Sequence, residues 1–158
     1  SEERRRIDLG VYLQEVQTSL LPAMKKSSHR MEVECPTALV VDTYPGAIYQ
    51  IVANMVMNSL LHGFRERNDG LIRLLARREG DEIVIVYRDN GVGMDEETCR
   101  RVFEPFFTTR RGEGGSGLGM HIVWNLATNL LGGSLQCEST PGKGVRFELR
   151  FPVSPVNS

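Results

Sequence analysis

The stretch RGEGGSGLGMHIVWNLATNLLGG, residues 111–133, places five glycines within eight residues directly before an apolar segment with helical periodicity. Glycine at this density packs no side chains and costs conformational entropy, so it is usually kept where the bare backbone is needed. The first amides of a helix lack intrahelical partners, and the helix dipole favours negative charge there. The stretch therefore predicts a phosphate site, with a flexible surface loop as the alternative.

Two familiar glycine motifs fit this stretch poorly. Gly112, Gly114 and Gly117 have the spacing of a dinucleotide fingerprint, but the residues before them read EPFFTTRR instead of forming a buried strand. The phosphate-loop pattern fails because no Gly-Lys-Ser/Thr follows at the required spacing. Other segments must therefore decide which ligand the glycines serve.

The composition is that of one soluble globular domain, with 158 residues, 41% hydrophobic and 25% charged. A net charge of -1 argues against a general nucleic-acid binder, which needs an excess of Lys and Arg. The three cysteines are widely spaced and predict reduced intracellular thiols, with neither a disulfide framework nor a zinc site. We expect a cytoplasmic domain without membrane contact of its own, in a parent protein that is free to be membrane-anchored.

The order of elements indicates an α+β fold, a two-layer sandwich with helices on one face of a mixed, mostly antiparallel sheet. Helical patterns follow the capping residue Asp8 and cover residues 46–61, 95–102 and 118–131. Strand patterns cover residues 30–36, 71–77, 81–89, 134–140 and 145–152, the last four as two hairpins. We assign residues 1–7 to the end of a linker or of a preceding helix, 8–153 to the domain and 154–158 to a tail.

The segment QIVANMVMNSLLH, residues 50–62, stacks polar side chains on an apolar helix. Asn54 and Asn58 are four residues apart, and His62 continues the same stripe. Asparagine is a poor helix former and is costly to bury without partners, so the stripe is either an exposed polar face or a site. An amide oxygen is a hard, neutral ligand of the kind that suits Mg²⁺.

The segment YRDNGVGMD, residues 87–95, places Asp89 at the end of a strand, followed by Gly91 and Gly93. An aspartate in this position is often only a turn former. A carboxylate fixed at a strand end also accepts the exocyclic amino hydrogen of adenine, while glycines let the ring lie against the backbone. Both interpretations stay open for this segment alone.

Taken in order, these segments resemble the ATP-binding catalytic domain of sensor histidine kinases, in the superfamily that includes gyrase, the ninety-kilodalton heat-shock chaperone and mismatch-repair ATPases. The resemblance covers nearly the whole chain. The family's boxes correspond to Asn54, Asn58 and His62, to Asp89-x-Gly91-x-Gly93, to FEPFFTT at 103–109, to GGSGLGM at 114–120, and to Gly142-Lys143-Gly144.

The resemblance implies a Bergerat-type sandwich that holds Mg-ATP under a flexible lid at about residues 103–115 and passes the γ-phosphoryl group to a histidine. It implies Asn58 as the metal ligand and Asn58 and Arg110 as catalytic residues. It implies nucleotide contacts from Asn54, Asn58, His62, Asp89, Gly91, Gly93, Phe103, Phe106, Thr109, Arg110, Gly115, Gly117, Leu118 and Gly119.

Asn54 distinguishes the histidine-kinase branch of the superfamily from its hydrolase relatives. The ATPases of the superfamily carry a Glu four residues before the magnesium Asn, where it activates water. An amide cannot accept that proton, so fast hydrolysis is disfavoured here. Two positions depart from the kinase pattern: Leu61 replaces a common Lys, and Val145 replaces a common Thr.

A histidine kinase also needs a phosphoacceptor, and His29, His62 and His121 all lack the acceptor context of a His followed by an acid and a Pro. The resemblance implies that the partners are the protein's own dimerisation and phosphoacceptor domain and the receiver domain of a response regulator. Two alternatives to this function stay open: a degenerate nucleotide-binding module without phosphotransfer, and a serine kinase of the same superfamily.

Overall fold

The computed structural model describes residues 3–36, 38–107 and 119–154, and its main feature is a five-stranded sheet. The strands within these ranges are β1 Arg5–Asp8, β2 Arg30–Glu34, β3 Val40–Thr43, β4 Leu71–Glu79, β5 Glu82–Asp89, β6 Ser134–Ser139 and β7 Val145–Pro152. The helices are α1 Leu9–Met24, α2 Pro45–Asn58, α3 Glu96–Arg101 and α4 Gly119–Asn125. Two π-helical turns, Ser59–Gly63 and Leu126–Leu130, extend α2 and α4.

The large sheet has the order β2-β4-β5-β7-β6, and every neighbouring pair is antiparallel except β2 with β4. The two predicted hairpins, β4 with β5 and β6 with β7, are confirmed. β7 alternates strictly, and its inward positions Val145, Phe147, Leu149 and Phe151 are buried. Such alternation marks a strand with one face on the core.

The second layer consists of helices whose apolar stripes lie against the sheet. Asp8 caps α1 as predicted, because its side chain accepts a hydrogen bond from the Val11 amide at 3.2 Å. Ile48, Ile51, Val52, Met55 and Val56 of α2 are all nearly inaccessible to solvent. The predicted α+β sandwich, with helices on one face of a mostly antiparallel sheet, is therefore confirmed.

A second, two-stranded sheet was not predicted. β1 pairs antiparallel with β3, so that Arg5 lies opposite Thr43 and Asp8 opposite Val40. Residues 1–7 are predicted to be the end of a linker or of a preceding helix, and the helix is wrong for Arg5, Arg6 and Ile7, which lie in β1. Four-residue strands this rich in charge have little periodicity, and pairing between distant segments decides their conformation.

The fold also brings two distant cysteines together. The sulfur of Cys99 on α3 lies 3.1 Å from the sulfur of Cys137 on β6, and both are free thiols. Burial, with the Cys99 thiol as a neighbour, raises the pKa of the Cys137 thiol far above its ordinary value, so this thiol stays protonated.

No helix within the described ranges combines the length and the apolar character needed to cross a bilayer.

Candidate functional site

A polar site lies where β5 ends, between the Ser59–Gly63 turn and the turn that joins β6 to β7. Its centre is Asp89, the last residue of β5, which is only 7% exposed. Ionised side chains are rarely buried without partners because desolvation is costly. The contacts of this carboxylate therefore define the site.

The Asp89 carboxylate is held by three donors. Its Oδ1 accepts hydrogen bonds from the amides of Gly91 and Val145 at 3.0 and 3.1 Å. Its Oδ2 accepts one from the hydroxyl of Ser59 at 2.6 Å. A carboxylate has about four acceptor positions. The carboxylate is therefore fixed in orientation and still has room for one more donor.

Ser59 itself belongs to a buried row of hydroxyl groups. Its oxygen lies 2.6 Å from the hydroxyl oxygen of Tyr87, which in turn lies 3.1 Å from the carbonyl oxygen of Met55. Burial raises the pKa of Tyr87 well above its ordinary value, so the phenol keeps its proton. Behind Asp89, the site thus has two neutral hydroxyl groups.

The loop after Asp89 is clamped on both sides by backbone hydrogen bonds. The amide of Val92 donates to the carbonyl of Gly63 at 2.8 Å, and the amide of Gly142 donates to the carbonyl of Val92 at 2.6 Å. A Cβ added to Gly91 would overlap the backbone of Gly63, and Gly93 has a φ of +73°. Only glycine fits both positions without strain.

The structure thus brings together two segments that the sequence singled out separately. Gly63, directly after His62, lies so close that a Cβ on it would come within 3.0 Å of Asp89 Oδ2. The end of the asparagine segment and the aspartate-glycine segment therefore form one surface.

The asparagine segment also joins α2 to α4. The side-chain amide of Asn54 donates a hydrogen bond to the carbonyl of Gly119 at 3.0 Å. Asn54, Asn58 and His62 are all half-buried. Since an amide oxygen is a hard ligand, Asn58 is suited to contribute one ligand to a Mg²⁺ that takes its other ligands from phosphate and water. Within the described ranges, no cluster of three or more His, Cys, Asp or Glu forms a metal site.

The phenylalanine segment lies along α4. The ring of Phe103 stacks on Trp124 with centroids 5.4 Å apart and lies 6.0 Å from Phe147. His121 Nδ1 contacts the Phe103 carbonyl at 3.1 Å. Phe106 has a φ of 64° and is 60% exposed. Phe103 therefore has a packing role, and nucleotide binding by Phe103 and Phe106 stays a prediction.

Five predicted site residues lie outside the described residues, namely Thr109, Arg110, Gly115, Gly117 and Leu118. The same is true of most of the predicted lid. Their assignments, including the catalytic role of Arg110, stay predictions.

His29 is held by packing and by a backbone hydrogen bond. Its Nδ1 accepts a hydrogen bond from the Gly70 amide at 2.8 Å, and its ring lies 4.5 Å from that of Phe64. Burial lowers the pKa of His29 from its ordinary value. A neutral ring that accepts a backbone hydrogen bond is explained by packing alone.

Sequence reasoning missed several residues around Asp89. The sequence patterns single out neither Ser59 nor Tyr87, and they mark Val145 only as a replacement for a common Thr. The available signal was a hydroxyl residue, Ser59, at a core position of a helix, where it is costly without a partner. Ser139 was also missed: its hydroxyl oxygen accepts from the Met94 amide at 2.8 Å and donates to the Gly144 carbonyl at 2.7 Å.

Solved structures share this fold. The catalytic domain of histidine kinase ThkA, in a nucleotide-free form, matches with a TM-score of 0.83 and 24% identity, covering 97% of each chain. Full-length ShkA in complex with AMPPNP matches with a TM-score of 0.84 and 21% identity, covering all of this chain and 33% of ShkA.

The chain is similar in sequence to sensor proteins. The alginate biosynthesis sensor protein KinB of Pseudomonas aeruginosa is 38% identical over 106 residues, which are 67% of this chain and 17% of KinB. The chain thus spans less than a fifth of that relative. The family model described as "Histidine kinase-, DNA gyrase B-, and HSP90-like ATPase" matches residues 43–155, well over half of the chain. This chain belongs to the histidine kinase-, DNA gyrase B- and HSP90-like ATPase family.

Proposed function

We propose that this chain binds Mg-ATP and donates the γ-phosphoryl group to a histidine on a separate dimerisation and phosphoacceptor domain, in two-component signal transduction. The observation that carries the proposal is the buried Asp89 carboxylate, held by three donors beside a loop in which Gly91 and Gly93 occupy positions that only glycine fits without strain. A site of this kind accepts a planar base that has an amino group at its edge.

The adenine amino group donates to the remaining acceptor position of Asp89. Gly91 and Gly93 let the loop after Asp89 pack against the backbone of Gly63 and Thr140, and the ring is proposed to lie against this loop. Gly63 keeps the other side of the carboxylate clear, since a Cβ at this position would come within 3.0 Å of Oδ2. The remaining acceptor position of Asp89 matches the hydrogen-bond polarity of the adenine amino group.

Asn58 is the proposed Mg²⁺ ligand, and bound Mg²⁺ neutralises the charge of the triphosphate. Asn54 occupies the position where the hydrolytic relatives carry a water-activating Glu. Its amide donates to Gly119 and cannot act as a base. Phosphoryl transfer depends mainly on positioning and charge neutralisation, so it remains available to this site while hydrolysis is slow.

The family supports a proposal for the partners. KinB is a sensor protein of which this chain matches 17%, so the acceptor histidine is proposed to lie elsewhere in a larger protein. A response-regulator receiver domain is the proposed downstream partner. The fold match to ShkA, solved with AMPPNP, supports a nucleoside triphosphate as the ligand. Because ATP is the substrate, we place the activity in the cytoplasm.

Incubation with γ-labelled ATP tests the proposal, with and without the dimerising helical hairpin of the parent sensor protein. We expect acid-labile label on the hairpin and none on this chain. Acid-labile label on this chain alone would contradict a separate acceptor. Acid-stable label on a serine would favour a serine kinase. ATP binding without any transfer would favour a degenerate nucleotide-binding module.

A further inference from the structure

Three oxygen atoms behind the proposed adenine site lie in a row. Tyr87 Oη is 2.6 Å from Ser59 Oγ, and Ser59 Oγ is 2.6 Å from Asp89 Oδ2. All three residues are almost inaccessible, with exposures of 1%, 1% and 7%. Because buried oxygens at this separation need a hydrogen between them, the row has a defined direction.

Counting hydrogens gives that direction. The Asp89 carboxylate accepts hydrogen bonds and has none to donate, so the single Ser59 hydrogen points to Oδ2. The hydrogen in the gap between Tyr87 and Ser59 must then come from Tyr87. If the Tyr87 hydrogen pointed to the Met55 carbonyl instead, two oxygens would face each other at 2.6 Å without a hydrogen.

The Met55 carbonyl does not need the Tyr87 hydrogen, because it already accepts the backbone amide of Ser59. Its distance from Tyr87 Oη is 3.1 Å, longer than the other two contacts of the row. The hydrogen bonds therefore run from Tyr87 to Ser59 to Asp89. Each donor in such a chain strengthens the next.

We propose that Ser59 and Tyr87 are positioning residues that set the base specificity of this site, by holding Asp89 as an acceptor for a 6-aminopurine and against a 6-oxopurine. This inference rests on the proposed function. A 6-amino group donates to the carboxylate, whereas a 6-oxo group would place a second acceptor against it. Discrimination is strongest where a buried polar group would be left without a partner.

Removing the Ser59 hydroxyl breaks the row at its middle. Oδ2 then loses its short donor, and the Tyr87 hydrogen turns to the Met55 carbonyl. Two backbone amides still hold Oδ1, so the carboxylate stays in place but is free to turn about that oxygen. Its alignment with an incoming amino group is thereby lost.

The test uses the whole chain with ATP and inosine triphosphate, which has the same phosphates and sugar but a 6-oxo base. For Ser59→Ala we expect ATP affinity to fall about tenfold, while affinity for inosine triphosphate changes little, so that the ratio of the two affinities falls. Tyr87→Phe should lower the same ratio by a smaller factor, since it removes the outer donor only.

Two variants are matched controls. Tyr12→Phe removes a phenol that donates to the Pro45 carbonyl at 2.7 Å, and Ser27→Ala removes a hydroxyl that donates to the Met24 carbonyl at 3.1 Å. Neither hydroxyl contacts the Asp89 row. Both variants should keep the wild-type ratio of affinities.

An equal loss of affinity for both nucleotides in Ser59→Ala and Tyr87→Phe would mean that the hydroxyls are merely structural and would overturn the inference. Unchanged ATP affinity in both variants would overturn it too. If Ser59→Ala does not fold, the ratio of the two affinities in Tyr87→Phe is the test of the inference. A wild-type chain that binds neither nucleotide would instead remove the proposed function on which the inference rests.

Discussion

The two ends of the proposed nucleotide site are built differently. At the base end, where adenine is proposed to bind Asp89, four of the hydrogen bonds described above fix the structure. Ser59, Gly91 and Val145 donate to the carboxylate, and the Val92 amide donates to the Gly63 carbonyl. On the asparagine side, within the described residues, a hydrogen bond from Asn54 to Gly119 joins α2 to α4, and Asn58 and His62 are half-buried. The protein's own hydrogen bonds therefore fix the position and orientation of the Asp89 carboxylate.

Because of this difference, we expect the two ends to recognise different parts of the ligand. A preformed, buried acceptor selects a base through the groups it would leave unpaired. Half-buried amides such as those of Asn54 and Asn58 are suited to a hydrated metal and to phosphate oxygens that arrive together. Substitutions at the base end should therefore lower the affinity for all adenine nucleotides. Substitutions at the other end should lower only the part of the affinity that depends on Mg²⁺ and phosphate.

The largest effect is expected from Asp89→Asn. The side-chain amide would present a donor to the adenine amino group where an acceptor is needed, and ATP affinity should fall at least about 100-fold. Calorimetric titration measures the loss. Asp69→Asn is the control, because Asp69 is an exposed aspartate that pairs with Arg67 at 3.0 Å. Unchanged ATP affinity in a folded Asp89→Asn protein would remove Asp89 from the base end.

The next effect is on stability, and it compares one glycine from each end. In Gly91→Ala the new Cβ meets the backbone of Gly63, which should lower the free energy of unfolding by about 1–3 kcal/mol. In Gly119→Ala the new Cβ, at the start of α4, would contact no atom of the described residues, so stability should be unchanged or rise by about 0.5–1 kcal/mol. Urea denaturation distinguishes the two, and equal losses would contradict a tightly packed base end.

The smallest effect is expected at the metal. Asn58→Ala should leave magnesium-free binding nearly intact but reduce the gain in affinity on adding Mg²⁺ about tenfold. Titrations in Mg²⁺ and in EDTA give that gain. Asn68→Ala, at an exposed position, is the matched control. A variant that gains as much from Mg²⁺ as the wild type would exclude Asn58 from the metal shell.

The sequence predicted the elements that have a clear period and the residues whose chemistry is local. α1, α2, the two hairpins, and the placing of Asp89 at a strand end all followed from patterns within one segment. β1 and β3 did not, because their pairing joins segments more than thirty residues apart.

The surroundings of Asp89 were hidden for the same reason. Ser59 and Tyr87 reach it across separate elements, and a hydroxyl within an apolar pattern does not show its partner. Val145 was read as the loss of a Thr side chain, but it contributes its backbone amide, which any residue except Pro carries. A side-chain pattern cannot reveal such a contact.

The most direct test of the two-ended site is a structure of the chain with a non-hydrolysable ATP analogue and Mg²⁺. We expect the adenine amino nitrogen at about 3 Å from an Asp89 oxygen, and the metal within ligand distance of the Asn58 amide oxygen, about 2.1 Å. A base bound away from Asp89, or a triphosphate that runs toward the β6–β7 turn instead of α2, would contradict the account.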